Sequence, residues 1–280
     1  MDAKYQTGMA GFLGALGLAE EPLVMTRSER EPGAGFAPQP NDLPTAEKEA
    51  RGEVDWGRVF GSFSCVLGKL WLARRKKAAA WFSAERFGCP GAAFFLGYLK
   101  PQTDFVVRFV STGIPDVRAG EHYADSPEAF RRYLEFLDPP SAKGRYTIFK
   151  PLSALAPDEK PLLAVFFARP EIISGLHQLA AFVTNDPQAV VSPFGAGCAN
   201  LVSWPLKFLA QGELKAVLGG WDPSCRKFLA VDEISFTVPM AMLEMMLERW
   251  PQSFLTTPTW AGVKKRIARS QRAWRRGKPA

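Results

Sequence analysis

The stretch "PLLAVFFARPEIISGLHQLAAFV", Pro161–Val183, decides the character of the fold. Its first part, "PLLAVFFA", is apolar at every position after the proline, so neither face of an extended chain would be polar. Such a strand belongs inside a sheet that is covered on both sides. The second part, "EIISGLHQLAAFV", spaces its apolar residues at helical intervals and reads as an amphipathic helix. A strand apolar on both faces, followed at once by a covering helix, implies layers of sheet and helix.

The flanking sequence continues the alternation. "RYTIFKPL", "AVVSPF", "KAVLGG" and "ISFTVP" read as strands, "GAGCANLV" as a turn into a helix, and "MAMLEMMLERW" (Met240–Trp250) as a helix. The first 25 residues read as a helix and a short strand, "PLVM". From Ser62 a helix is expected, with Phe63, Val66, Leu67, Leu70 and Trp71 on one face and Arg74, Arg75, Lys76 and Lys77 closing its last turn. "AAAWF" reads as a strand, Pro90 opens another helix, and Ser126 opens one with Phe130, Tyr133, Leu134 and Leu137 inward. The expected fold class is α/β or α+β, a mixed sheet with interleaved helices. The expected organisation is a single globular domain over 1–255 and a basic amphipathic helix or tail over 256–280. Arg27–Asp55, with four prolines and many charges, is expected to be a long surface loop.

A chain of 280 residues, 47% hydrophobic and 22% charged, buries a full core. No apolar run approaches the roughly 20 residues that span a bilayer, so no transmembrane segment is expected. "MAGFLGALGLA" (Met9–Ala19) follows little positive charge and runs into Glu20–Glu21–Pro22, unlike a signal peptide. A cytoplasmic address, with reduced thiols, is expected. The net charge of +7 is concentrated in Lys264, Lys265, Arg266, Arg269, Arg272, Arg275, Arg276 and Lys278. Taking these eight from 35 basic residues leaves 27 against 28 acidic ones, so the body gives no strong nucleic-acid signal. The tail places Trp260, Val263, Ile267 and Trp274 on roughly one helical face among its cations. Its first half is expected to dock by that stripe and its end to be disordered; the sharper alternative is contact with an acidic partner, RNA or an anionic membrane surface.

Three of the four cysteines share a local grammar. Cys65 lies in "GSFSCVLGKL", one turn into its expected helix; Cys89 precedes Pro90 at an expected N-cap; Cys198 follows a Gly-x-Gly turn in "PFGAGCANL". Free N–H groups and the positive end of the helix dipole converge at such places, and they lower a thiol pKa. Gly88, Gly91, Gly195 and Gly197 leave room for another group to approach the backbone. Three readings stay open: a metal or iron–sulfur site on thiolates, a reactive thiol, or cysteines buried as small hydrophobes. His122 reads as a loop residue and His177 as a core or boundary group on an amphipathic helix; with only two histidines and no Ser/His/Asp spacing, a hydrolase triad is disfavoured. The methionines of "MAMLEMM" read as soft core packing.

The segments "GSFSCVLGKLWLARRKK", "FGCPGAAFFLGY", "GEHYADSPE", "YTIFKPLSAL", "VSPFGAGCANLV", "LGGWDPSCRKFL", "ISFTVP" and "SFLTTPTWAGVKKRI" together resemble a prokaryotic family, domain of unknown function 169. The resemblance runs from about Leu18 to Ile267. It implies that Cys65, Cys89 and Cys198 fall in family motifs, whereas Cys225 stands where similar sequences carry a small residue such as alanine. The leading expectation is therefore a three-cysteine site on Cys65, Cys89 and Cys198, holding an iron–sulfur cluster or thiophilic metal with a redox-related role. The alternative is a metal-free binding or regulatory protein, in which Gly88, Gly91, Gly195, Gly197 and Arg226 hold a small anionic ligand. An Asp222–Arg226 ion pair is the simpler role for that arginine, and a thiol-based enzyme comes third.

Overall fold

The structure, a computed structural model, describes residues 3–41, 43–99 and 104–276. Its helices are α1 (Ala3–Leu16), α2 (Ala46–Ala50), α3 (Trp56–Gly61), α4 (Val66–Lys76), α5 (Pro90–Phe95), α6 (Asp104–Val110), α7 (Pro127–Leu137), α8 (Pro170–Thr184), α9 (Trp204–Ala210), α10 (Met240–Arg249) and α11 (Pro258–Arg276). Its strands are β1 (Leu23–Ser28), β2 (Ala80–Ser83), β3 (Gly113–Ile114), β4 (Arg118–Ala119), β5 (Tyr146–Pro151), β6 (Leu163–Ala168), β7 (Val190–Val191), β8 (Ala216–Gly219) and β9 (Ile234–Pro239). Seven strands form one mixed sheet in the order β2-β5-β1-β6-β9-β8-β7, and β3 and β4 pair as a small separate hairpin. Only β7 and β8 are parallel; the other neighbours in the large sheet are antiparallel.

Strand β6 lies at the middle of the sheet, between β1 and β9. Its residues alternate between two cores. Leu163, Val165 and Phe167 face one side with Met25, Phe149 and Leu70. Ala164, Phe166 and Ala168 face the other with Phe12, Leu176, Phe236 and Leu243. Both cores are built by helices: α4, α5 and α7 contribute to the first, and α1, α8 and α10 to the second. Ile173, Leu176, Leu179, Ala180 and Val183 form the buried stripe of α8, at the spacing read from the sequence. Ser126 caps α7 by accepting the N–H of Ala129, and Pro127 sets its first turn.

Three local expectations change. The helix expected from Ser62 begins at Val66, so Cys65 is its N-cap rather than a residue one turn inside. Phe63 then joins a third, smaller core of Val59, Phe105, Val106 and Ile114, packed by Trp56 and Phe60. Trp71, expected to face inward, is 37% exposed beneath the guanidinium of Arg75; Ala73 takes the inward position. The 27–55 stretch contains the last residues of β1 and the short helix α2, and Phe36 bridges to Ala80 beside β2.

The far end of α4 is held electrostatically. Arg74 forms paired hydrogen bonds with both Glu20 and Glu233 at 2.6–2.9 Å, and its guanidinium lies 4.3 Å over the Phe167 ring. Its planar fork suits two carboxylates at once. In α11, the Trp260 indole and the Lys264 ammonium both donate to the carbonyl of Ala15, at the end of α1. Lys265, Arg266, Arg269, Arg272 and Arg275 face solvent or are partly exposed, as does Trp274. The end of the tail, expected to be disordered, is instead helical as far as Arg276; 277–280 lie outside the described residues. No helix among the described residues is long and apolar enough to cross a membrane.

Phe166 packs edge-on against Phe12 at 6.4 Å in the second core and is essentially inaccessible. Phe166→Ala should cost about 3–5 kcal/mol of unfolding free energy in a urea titration. A loss below about 1 kcal/mol would contradict the central place given to β6.

Candidate ligand site

The third core is set apart from the first, and between them lies a cavity of about 610 Å³. Its inner wall comes from Cys65 to Lys69, Trp71, Cys89, Gly91 and Phe95; its outer wall includes Phe60, Phe63, Phe109 and Arg118. Tyr133, Phe194, Gly197, Cys198, Asp222, Cys225, Lys227 and Phe228 close the remaining sides. All four cysteines line this one cavity, including Cys225, which the sequence set aside.

Two thiols stand at helix starts. Cys65 is the N-cap of α4 and Cys89 the N-cap of α5, each with extended backbone and without a side-chain capping bond. Cys89 is held by a clamp that the sequence did not reveal. The Asn41 side chain accepts the N–H groups of Phe87 and Gly88 at 3.0 and 2.8 Å and donates to the carbonyls of Gly88 and Ser62. Gly88 takes a left-handed φ of 92°, and a Cβ there would lie 2.6 Å from the Ser64 carbonyl oxygen. Only glycine fits between the two thiol-bearing segments. Cys198 lies in the first turn of a helical run that passes through a π-helical segment, Ala199–Ser203, into α9. A Cβ on Gly197 would lie 2.9 Å from Leu67 and 3.1 Å from the Cys225 sulfur, so this turn too is packed against its neighbours.

Asp222 ties the segments together. One carboxylate oxygen accepts from the Tyr123 hydroxyl and from the N–H and hydroxyl of Ser224, at 2.8–3.0 Å. The other accepts the N–H of Gly197 at 3.1 Å. The Cys225 thiol donates to the Asp222 carbonyl at 3.1 Å. Neither expected role of Arg226 is realised. Its guanidinium donates to the carbonyls of Gly220, Ala230, Val231 and Glu233, which ties down the turn and leaves it neither paired with Asp222 nor lining the cavity. Gly91 and Gly197 line the cavity, Gly195 lines a neighbouring cleft with Phe194 and Trp221, and Gly88 acts from behind as described.

The sulfurs are not the low-pKa thiolates expected from their positions. Burial pushes Cys89 up to about 12, with the Cys65 sulfur and Asp222 adding to the rise. It pushes Cys225 to about 12 as well, with Asp222 the next cause, and Cys198 well above the ordinary thiol range. Cys65 is also raised by burial, but the N–H groups of Leu67 and Gly68 and the charge of Lys227 oppose the rise. Desolvation exceeds the attraction of the helix ends, so the metal-free thiols are neutral. Among the described residues, no group of three or more His, Cys, Asp or Glu side chains is placed to hold a metal ion.

Fold and site together define an α-and-β protein with a thiol-walled aromatic cavity between its main core and a satellite core. The chain belongs to the family of domain of unknown function 169, described as uncharacterised ArCR, whose family model matches residues 12–249. The match ends before Ile267, leaving α11 outside it. No curated protein and no solved structure matches the chain.

The geometry orders the thiols by reactivity. At pH 8, iodoacetamide should label Cys65 first and Cys198 last, read by peptide mass spectrometry. Asp222→Asn removes a negative charge that holds all four thiolates back, so labelling of Cys65 should quicken several-fold. Slower labelling in a folded Asp222→Asn protein would contradict that electrostatic assignment.

Proposed function

We propose that this chain is a small-molecule-binding protein whose ligand occupies the thiol-walled cavity. The observation that carries this is the cavity itself, at about 610 Å³ with aromatic and aliphatic walls and few polar groups. That size and lining are those of a site for a ligand with a large apolar body. Phe60, Phe63, Phe109, Phe130 and Phe228 supply flat apolar surface, and Cys65, Cys89, Cys198 and Cys225 supply soft, weakly polar contacts. The glycine-framed anion site expected around Arg226 has no part in it, because that guanidinium is spent on backbone carbonyls.

The test is calorimetric titration with 2-(2-naphthyl)ethanol. The wild-type chain should bind it, and Ala196→Phe, which adds a ring at the cavity wall, should weaken binding by roughly tenfold or more. Failure of both this alcohol and 2-naphthylacetate to bind the folded wild-type chain, or equal binding by the variant, would overturn the proposal.

A thiophilic metal ion or iron–sulfur cluster on Cys65, Cys89 and Cys198 is the second reading. One arrangement favours it: beyond the effect of burial, the Cys198 thiol is raised by Cys89 and Cys65, and the Cys89 thiol by Cys65, so negative charges on these sulfurs repel one another. A bound cation would reverse that repulsion and release the thiol protons. The described side chains would have to close toward one another first. Anaerobic purification with absorption spectroscopy and metal analysis decides it. Stoichiometric iron, zinc or copper would support it, and colourless, metal-free protein after reconstitution would sink it.

A further inference from the structure

Resting on the cavity proposal above, we infer that the ligand is a ring-bearing carboxylate whose anionic end is received by Lys69 and Lys227. Both lysines line the cavity, and neither has a carboxylate partner among the described residues. They lie on packed neighbours: Lys69 follows Gly68, whose position a Cβ would bring within 3.0 Å of the Phe228 ring, and Lys227 lies 5.3 Å over that same ring. The segments that carry the two lysines therefore meet at the Phe228 ring, and the charge of Lys227 reaches the Cys65 sulfur.

The cavity lining carries three cations, Lys69, Lys227 and Arg118, against two carboxylates, Asp222 and Glu121. Asp222 is already engaged by four donors, and Glu121 belongs to the Tyr123 segment, where its charge raises the tyrosine pKa. Arg118 adds a third cation, lying 4.7 Å over Phe60 and 5.6 Å over Phe109 on the outer wall. The neutral thiols of the inner wall do not repel an anion. A wholly apolar ligand would make no charge-assisted contact with either ammonium group. A carboxylate returns charge-assisted hydrogen bonds, while the phenylalanine walls take the ring.

Titration of the full chain with 2-naphthylacetate and with 2-(2-naphthyl)ethanol separates the charge from the ring. At low salt the carboxylate should bind roughly tenfold more tightly. That advantage should shrink in K69Q and in K227Q, vanish in K69Q/K227Q, and fade with added salt, while affinity for the alcohol stays unchanged. Alcohol binding as tight as the carboxylate's, or an advantage that survives the double substitution, would overturn the inference and leave the cavity proposal standing. If neither compound binds the folded wild-type chain, both fall.

Discussion

A strand that is apolar on both faces has to be covered on both faces, and β6 imposes that demand on the chain. Leu163, Val165 and Phe167 need one layer of helices, and Ala164, Phe166 and Ala168 another. Antiparallel partners on each side, β1 and β9, satisfy its backbone within the sheet. Everything else is arranged around that middle strand. Once α4 and α5 are committed to the first core, their N-termini project the thiols of Cys65 and Cys89 toward its outer margin.

At that margin the third core of aromatic residues stands off from the first, and the gap becomes the cavity. The gap is kept open by polar anchors rather than by apolar filling. Asn41 pins the Gly88 turn, Asp222 gathers Tyr123, Gly197 and Ser224, and Arg226 fastens the turn that carries Cys225. Each anchor satisfies backbone groups that a loop near a core would otherwise leave bare. The same burial that shapes the wall keeps its sulfurs protonated. Helix ends pull the thiol pKa down, but loss of water pushes it up further.

Much of the frame was legible because its signals are local and periodic. The two-face pattern of 161–168, the stripe of α8, Ser126–Pro127 at the start of α7 and Pro90 at the start of α5 all act within a few residues. The cap position of Cys89 was legible for the same reason, whereas Cys65 was read one turn inside a helix whose start was displaced. Phe63 was misplaced because the third core competes for it, and that competition is tertiary. Asn41 and Tyr123 were not singled out, and Asp222 was read only as a local partner of Arg226, since their decisive contacts reach segments far away in the chain.

By itself the sequence determined a sheet covered on both faces, helices in between, a basic end and three thiols placed near helix starts. Those follow from periodicity, capping chemistry and charge, which neighbouring residues settle among themselves. Tertiary structure alone decided that four thiols line one cavity and that Arg226 is spent on carbonyls. It also decided the charge state of the sulfurs, because desolvation depends on everything packed around an atom and not on the residues beside it.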